Sequence, residues 1–453
     1  MFCTSNLLYN EKNLIGRLYR YFYAYFETFS VPTIETLFLL LLSMIALESA
    51  DSIRFLYQHF LSGITEKSLN AFYYACSYAK ADYSRFMNVT ASMALKLIPD
   101  SLKPQPVFLC IDDTMVSKFG KKFEDVSKLF DHAAHNGSNY LNGHCFVSIM
   151  LCIPVWKHNK CIYMSIPLGY RMWQKDISKL DLAADMVRKV MPNLSAIKNV
   201  ILLCDSWYAK KNLVCIVNEY ENLDIICNAR NDSVMYDLAP PKSGKRGRPA
   251  KHGKRLSIED DFSLSDEKIG DYYIGVRRIL SNLFGEREIL AFVTSTGTAG
   301  SSRRLFFSTV FSEQISMFCA WKEKAPLNQT GSERMKYIPL FLYGFRWNIE
   351  VSYYEQKTFW SLCSYMVRSK NGIEMLVNLI NIAYCAMKIL PYQDASFQKY
   401  QDKSVQEFRF VLSSQIREQV FYAHFVKNIE NHIKSNQLFN TLKMLIQQQG
   451  YYF

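Results

Sequence analysis

Val107-Phe-Leu-Cys-Ile-Asp-Asp113 (VFLCIDD) closes an apolar run with two acids, and Asn199-Val-Ile-Leu-Leu-Cys-Asp205 (NVILLCD) does the same far downstream. Short apolar, β-branched or aromatic runs bounded by polar residues predict buried strands. Each of these two therefore carries a carboxylate to the end of a strand. Working outward, VFLCID, GHCFVSIMLCIPVW (143–156) and CIYMSIPLGY (161–170) predict three consecutive strands, the later two antiparallel neighbours. A helix follows from Lys179 to Val190, closed by Pro192, and then the NVILLCD strand. A helix through KKNLVCIVNEYEN (210–222) and a strand LDIICNAR (223–230) complete the series.

Strands in succession, then strands alternating with helices, predict a mixed α/β sheet covered by helices. That order matches a ribonuclease-H-like core, in which acids at strand ends converge at one edge. We place the first part of this core at 105–230. Over 231–330 the alternation gives way to a polar, Gly-rich stretch holding DYYIGVRRIL, REILAFVTS and RRLFFSTVF, which predicts a β-rich insertion. The segment 331–390 returns to helix, and 391–453 forms a helical C-terminal region.

Residues 1–100 read as helices, with Pro32 and Thr33 opening the run IETLFLLLLSMIALESA. Gly63 separates DSIRFLYQHFLSG from ITEKSLNAFYYACSYAKADYSRF, a division that suits a helix-turn-helix and a DNA-binding role. A helical bundle without DNA contact fits the same pattern. Pro99, Pro104 and Pro106 mark the linker to the core.

A chain of 453 residues, 49% hydrophobic, can bury a large core and divides into several units. Its formal charge of +12 favours a polyanionic partner, and nucleic acid is the commoner one. The twelve cysteines form no Cys-x2-Cys pair, which predicts a reducing compartment and no zinc site. The run Leu37 to Leu47 is about half the length that spans a bilayer, and the N-terminus carries no signal-peptide pattern. A soluble, unexported protein with no membrane partner is expected.

Paired divalent cations held by carboxylates supply both halves of phosphodiester chemistry, an activated oxygen nucleophile and a stabilised leaving oxygen. Hard oxygen ligands select Mg²⁺, with Mn²⁺ as substitute. Asp112 or Asp113, together with Asp205, is the minimal bridging set. Neighbouring strand residues face opposite ways, so only one of the adjacent acids faces such a site. Asp112 is favoured because it opens Asp112-Asp113-Thr114; Asp113 stays in contention. Taken singly, either acidic strand end is better explained as a turn or helix cap.

The third element is LYGFRWNIEVSYYEQKTFW (342–360), in which Tyr343, Arg346, Glu350 and Lys357 follow at steps of three, four and seven and share one helical stripe. A surface Arg346–Glu350 pair, worth roughly 0.3–0.5 kcal/mol, accounts for two of these residues. It leaves Tyr343, Lys357, Tyr365 and Arg368 unexplained.

Together these residues resemble the cut-and-paste DDE transposases of bacterial insertion sequences, in the subgroup marked by Tyr-x2-Arg-x3-Glu-x6-Lys. LLCDSWYAKKNL is similar to that family's second-acid segment, and FRWNIEVSYYEQKTFWSLCSYMVRS to its third-acid helix. The resemblance implies that Asp112 or Asp113, Asp205 and Glu350 are catalytic, with Asp112, Asp205 and Glu350 the metal ligands. It implies that Tyr343, Arg346 and Lys357 contact DNA phosphates; Arg368, further along the same segment, is a further DNA-binding candidate. Double-stranded DNA, as element ends and target, is the implied partner, bound by a homodimer in a synaptic complex in the bacterial cytoplasm at the nucleoid. A hairpin intermediate is compatible with the family. The rival readings are a transposase-derived DNA-binding protein that has lost catalysis and a Mg²⁺-dependent nuclease that cleaves without joining.

KSGKRGRPAKHGKR (242–255) holds seven Lys or Arg and no acid. Its Arg246-Gly247-Arg248-Pro249 centre resembles an AT-hook, whose arginines enter a narrow minor groove; a solvated basic loop is the plainer account. Core packing is expected for Trp207 and Trp347, and either core or base stacking for Trp360. His132, His135 and His144 match no zinc spacing and are assigned no role.

Overall fold

The protein is described by a computed structural model covering residues 8, 10, 12–47, 51–120, 122–130, 139–241, 250–297, 302–311, 336–434, 440 and 443–444. Its contacts divide the chain into two units, one of residues 82–356 and 388–401, the other of residues 1–81, 357–387 and 402–453.

The first unit is organised by β1 (Val107–Ser117), whose first six residues are all buried. With both faces buried, its backbone groups are paired along both edges. On one side it pairs in parallel with β5 (Val200–Cys204), from Val107↔Val200 to Ile111↔Cys204. On the other it pairs antiparallel with β3 (Tyr140–Lys157). β3 returns as β4 (Lys160–Met172) through His158 and Asn159, both with positive φ (48° and 61°). Two left-handed residues in succession make the tight hairpin turn whose twist matches paired strands. β5 is followed in parallel by β6 (Leu223–Ala229). A short β2 (Ser127–Phe130), which the sequence pattern did not signal, pairs with the start of β3.

The strands expected within the insertion do form, but not as a separate sheet. β11 (Arg303–Ser308) pairs antiparallel with β6, and β10 (Ile289–Ser295), β9 (Tyr273–Ser281), β7 (Met235–Tyr236) and β8 (Arg255–Leu256) extend the same sheet outward. One mixed sheet of eleven strands results, in the order β2-β3-β1-β5-β6-β11-β10-β9-β7-β8 with β4 also on β3. Its helical cover includes α4 (Tyr83–Leu95), capped by Asp82, and α5 (Lys179–Val190), whose N-cap Ser178 accepts from the Asp181 N–H. Asp181 in the first turn of α5 and Arg188 and Lys189 in its last turn complement the helix dipole. The helix expected over 210–222 shrinks to one α turn, Lys211–Val214, and a 3-10 turn, Cys215–Asn218. β-branched Val214, Ile216 and Val217 favour helix weakly, and burying Leu213, Val214, Ile216 and Val217 satisfies the segment without a longer one.

The second unit is helical. α1 (Leu14–Phe26) and α2 (Val31–Ala46, with Pro32 in its first turn) pack together, and α2 also meets α3 (Leu69–Tyr78) and α8 (Val405–Lys434). The helical run from Ile53 passes through Gly63 and breaks instead over 65–68, and α3 ends before the Asp82 cap, so the expected two-helix division shifts. Arg409, 1% exposed, donates to the carbonyls of Met44 (2.7 Å) and Leu47 (2.6 Å), and its guanidinium stacks 4.1 Å from the Trp360 ring. α7 (Lys370–Gln393) is long and apolar enough to cross a membrane, yet 94% of its most apolar window is buried inside the protein, as in a core helix.

Candidate active site

Parallel register brings the first two acids together. Ile111 pairs with Cys204, so one residue further Asp112 on β1 and Asp205 just past β5 stand side by side, at a strand spacing of about 4.8 Å. The Asp205 Oδ1 accepts from the backbone N–H groups of Trp207 (3.0 Å) and Tyr208 (3.1 Å), which fixes its carboxylate at the turn.

The segment carrying the remaining residues is docked on the face of β1 that holds Asp112. Phe345 stacks on Phe108 with ring centroids 4.7 Å apart and lies 4.7 Å from Tyr163. Asn348 donates to Ser165 Oγ (2.9 Å), and Tyr353, on α6 (Trp347–Phe359), hydrogen-bonds Ser148 Oγ at 2.6 Å. Ser148 is the register partner of Asp112. Tyr343 and Arg346 sit on a 3-10 turn, Tyr343–Arg346, and not on the α-helix itself. With three residues per turn their side chains eclipse, and Glu350 follows in the first turn of α6.

Arg346 lies at the centre. Its guanidinium is 2.7 Å from Asp112 Oδ2 and 3.5 Å from Glu350 Oε1. Burial pushes the Asp112 carboxyl well above its ordinary range; Arg346 opposes this, and the charges of Asp205 and Glu350 add to it. Asp205 is also raised, chiefly by burial, with the Tyr208 N–H and Arg346 pulling the other way and Asp113 pushing up. Burial works against the charge on Arg346, but Tyr343, Asp112, Glu350 and Asp205 together hold it on.

Asp113 faces the other way. It accepts from Lys179 (2.8 Å) and Cys145 Sγ (3.0 Å) on Oδ2 and from the Tyr208 hydroxyl (2.9 Å) on Oδ1. Sequence reasoning found Asp113 but none of these three partners, since nothing in local spacing links α5, β3 and the turn after β5.

The donor chemistry of Asp112, Asp205 and Glu350 fits a hard divalent cation, because oxygen ligands whose negative charge is disfavoured by burial, and further by neighbouring acids, are what such an ion compensates. Among the described residues, no three His, Cys, Asp or Glu side chains are grouped closely enough to hold a metal. Arg346 supplies the compensating charge in this arrangement.

An open cavity of about 420 Å³ adjoins the acids, lined by Asp205, Asn228, Arg304, Phe306, Tyr343 and Arg346 among others. Phe306 meets the Tyr343 ring edge-on at 5.1 Å, and burial pushes the Tyr343 hydroxyl above its ordinary value. Lys357 follows Glu350 on the same helix, and Arg368 is exposed beyond it. Arg246 and Arg248, with most of the AT-hook-like segment, lie outside the described residues, as do His132 and His135. His144 hydrogen-bonds the Glu124 carbonyl (2.8 Å) within the fold.

Two tryptophans overturn the expectation of core packing, and the third, left open between core and stacking, is core. Trp207 and Trp347 are 40% and 63% exposed, whereas Trp360 is buried at 1%. Trp207 lies between the ammonium groups of Lys179 (5.1 Å) and Lys210 (4.7 Å), which favour the ring face without burying it. Trp347 opens α6 at the cavity rim, where the turn before it has already placed Phe345 against Phe108.

Residues 65–272 match the family model of the DDE superfamily endonucleases, a span that includes Asp112, Asp113 and Asp205 and ends before Glu350. No curated protein matches the chain. With two strand-end acids side by side and a third on the helix docked above them, this similarity supports a DDE-type transposase or endonuclease.

Proposed function

We propose that the protein is a DNA transposase that cleaves and joins the ends of an insertion sequence, on a ribonuclease-H-like core. The observation that carries the reading is the meeting of Asp112, Asp205 and Glu350 in one electrostatic neighbourhood around Arg346. The strand order β4-β3-β1-β5-β6, with β1, β5 and β6 parallel, supports the core assignment. Tyr343-Arg346-Glu350-Lys357 supports the subgroup.

Asp112, Asp205 and Glu350 would hold Mg²⁺, or Mn²⁺ in its place. Ions bound there would supply an activated oxygen nucleophile and charge stabilisation for the leaving oxygen. The chain's own groups do the rest. The backbone N–H groups of Trp207 and Tyr208 orient Asp205, and the 3-10 turn aims Tyr343 and Arg346 together. A guanidinium offers a bidentate fork to phosphate oxygens, so Arg346 turns from Asp112 to the scissile phosphate when DNA enters. Lys357 adds a phosphate contact on the same helix.

The N-terminal helices read the element ends, and the basic segment with Arg246 and Arg248 adds sequence-independent DNA affinity. A homodimer on paired ends, with α8 as its contact, and work at the bacterial nucleoid complete the proposal.

Labelled element ends covalently joined to a target plasmid in Mg²⁺ support transposition. Ends that are only nicked leave a nuclease. The Arg346–Asp112 ion pair favours one further reading, a DNA-binding descendant without catalysis, and ends bound but never cut would select it.

A further inference from the structure

The cavity beside Asp205 has a wall that no catalytic role explains. On β11, Phe306 is the register partner of Asn228 on β6, so the two share a face, and Arg304, two residues before Phe306, shares it too. Phe306 rests against Tyr343, so this face of the strands looks into the same space as the Tyr343–Arg346 turn.

The two adjacent arginines differ. Arg303 is bound to Glu259 (3.1 Å) and to the Ile258 carbonyl (2.6 Å), and Asn231 donates to its carbonyl (2.8 Å). Arg304 is exposed and, among the described residues, makes no ion pair or side-chain hydrogen bond; nor does the Asn228 amide. Three arginines line the cavity (303, 304 and 346); Arg303 is paired with Glu259 and Arg346 with Asp112, so the guanidinium left to meet an anion from solution is that of Arg304. Its volume, about 420 Å³, is of the size that holds one small ligand unit.

Resting on the reading of the acids as a DNA-cleaving centre, we infer that Arg304 and Asn228 bind a phosphodiester next to the scissile one, on the same strand, and position that strand against Asp205. Arg304 supplies the charged fork and Asn228 a neutral donor. β11 thereby acts as a substrate wall as well as an extension of the sheet.

The test uses the full chain and duplexes of the DNA flanking its coding sequence, with single neutral methylphosphonates placed in turn along each strand. Binding is measured without divalent cation and cleavage with Mg²⁺. For the wild type, one substitution near the cut weakens binding about tenfold, as expected for a lost charge-assisted hydrogen bond. Arg304→Ala weakens the unmodified duplex to a similar degree, lowers the salt slope by about one, and no longer responds to that methylphosphonate. Arg304→Lys, which keeps the charge and loses the fork, falls between the two, and circular dichroism confirms that both variants fold.

Unchanged affinity in Arg304→Ala, or effects of mutation and methylphosphonate that simply add, overturns the inference while leaving cleavage to stand. A wild type that shows this coupling but never cuts keeps the inference and removes the catalytic reading. A wild type that binds none of the duplexes removes both.

Discussion

Asp112 and Asp113 are consecutive on β1, and the two faces of that strand treat them in opposite ways. On one face Asp113 is satisfied by Lys179, Tyr208 and Cys145, which arrive from α5, the turn after β5, and β3. On the other, Asp112 is buried beside Asp205 and Glu350 with Arg346 as its compensating cation. A carboxylate that receives a donor on every side stabilises a fold. One that is buried among other acids costs stability and is kept for what it binds. On the proposed reading, catalysis and architecture are divided across the thickness of one strand.

The division breaks first, and by the largest margin, if the wrong acids matter for cleavage. Asp205→Asn and Glu350→Gln are each expected to slow DNA cleavage on the order of a thousandfold or more, about 4 kcal/mol of barrier. Duplex binding in gel shift should change little. Retained cleavage in either variant removes that residue from the site. Asp112→Asn should lose activity alike while its urea midpoint stays level or rises.

Asp113→Ala tests the architectural face. Leaving Lys179 without its partner is expected to cost about 3 kcal/mol of stability, in line with broken buried ion pairs, read as a lowered urea midpoint. An unaltered midpoint would mean that the Lys179–Asp113 contact is ornamental. Tyr208→Phe removes one donor from the same carboxylate and should cost about 1 kcal/mol, with cleavage lowered only a few-fold. A thousandfold loss there would move Tyr208, and with it Asp113, across to the catalytic side.

Much of this was legible in the primary structure because it is local. β1, β3, β4, β5, β6 and α5 follow from runs of apolar residues and from Pro192, and the acids are visible at strand ends. Register was not legible. That β11 pairs with β6, and so makes the insertion a continuation of the main sheet, depends on a pairing between Phe306 and Asn228 that no spacing encodes. Nor could the pattern show that Tyr343 and Arg346 would stand on a 3-10 turn, since steps of three suit both helix types. Trp207 and Trp347 were misjudged because bulk argues for burial on average, whereas here Phe345 and Tyr208 had taken the inner positions beside them. Arg304 gave no signal, because its meaning comes from the cavity that β6, β11 and the Tyr343 turn enclose.

The most direct test of the two-faced strand is Mn²⁺ binding, followed by electron paramagnetic resonance in the presence of duplex DNA, for the wild type, Asp112→Asn and Asp113→Asn, each checked for folding. We expect the wild type and Asp113→Asn to bind the ion and Asp112→Asn to lose it. Binding that survives in Asp112→Asn and disappears in Asp113→Asn would contradict the account.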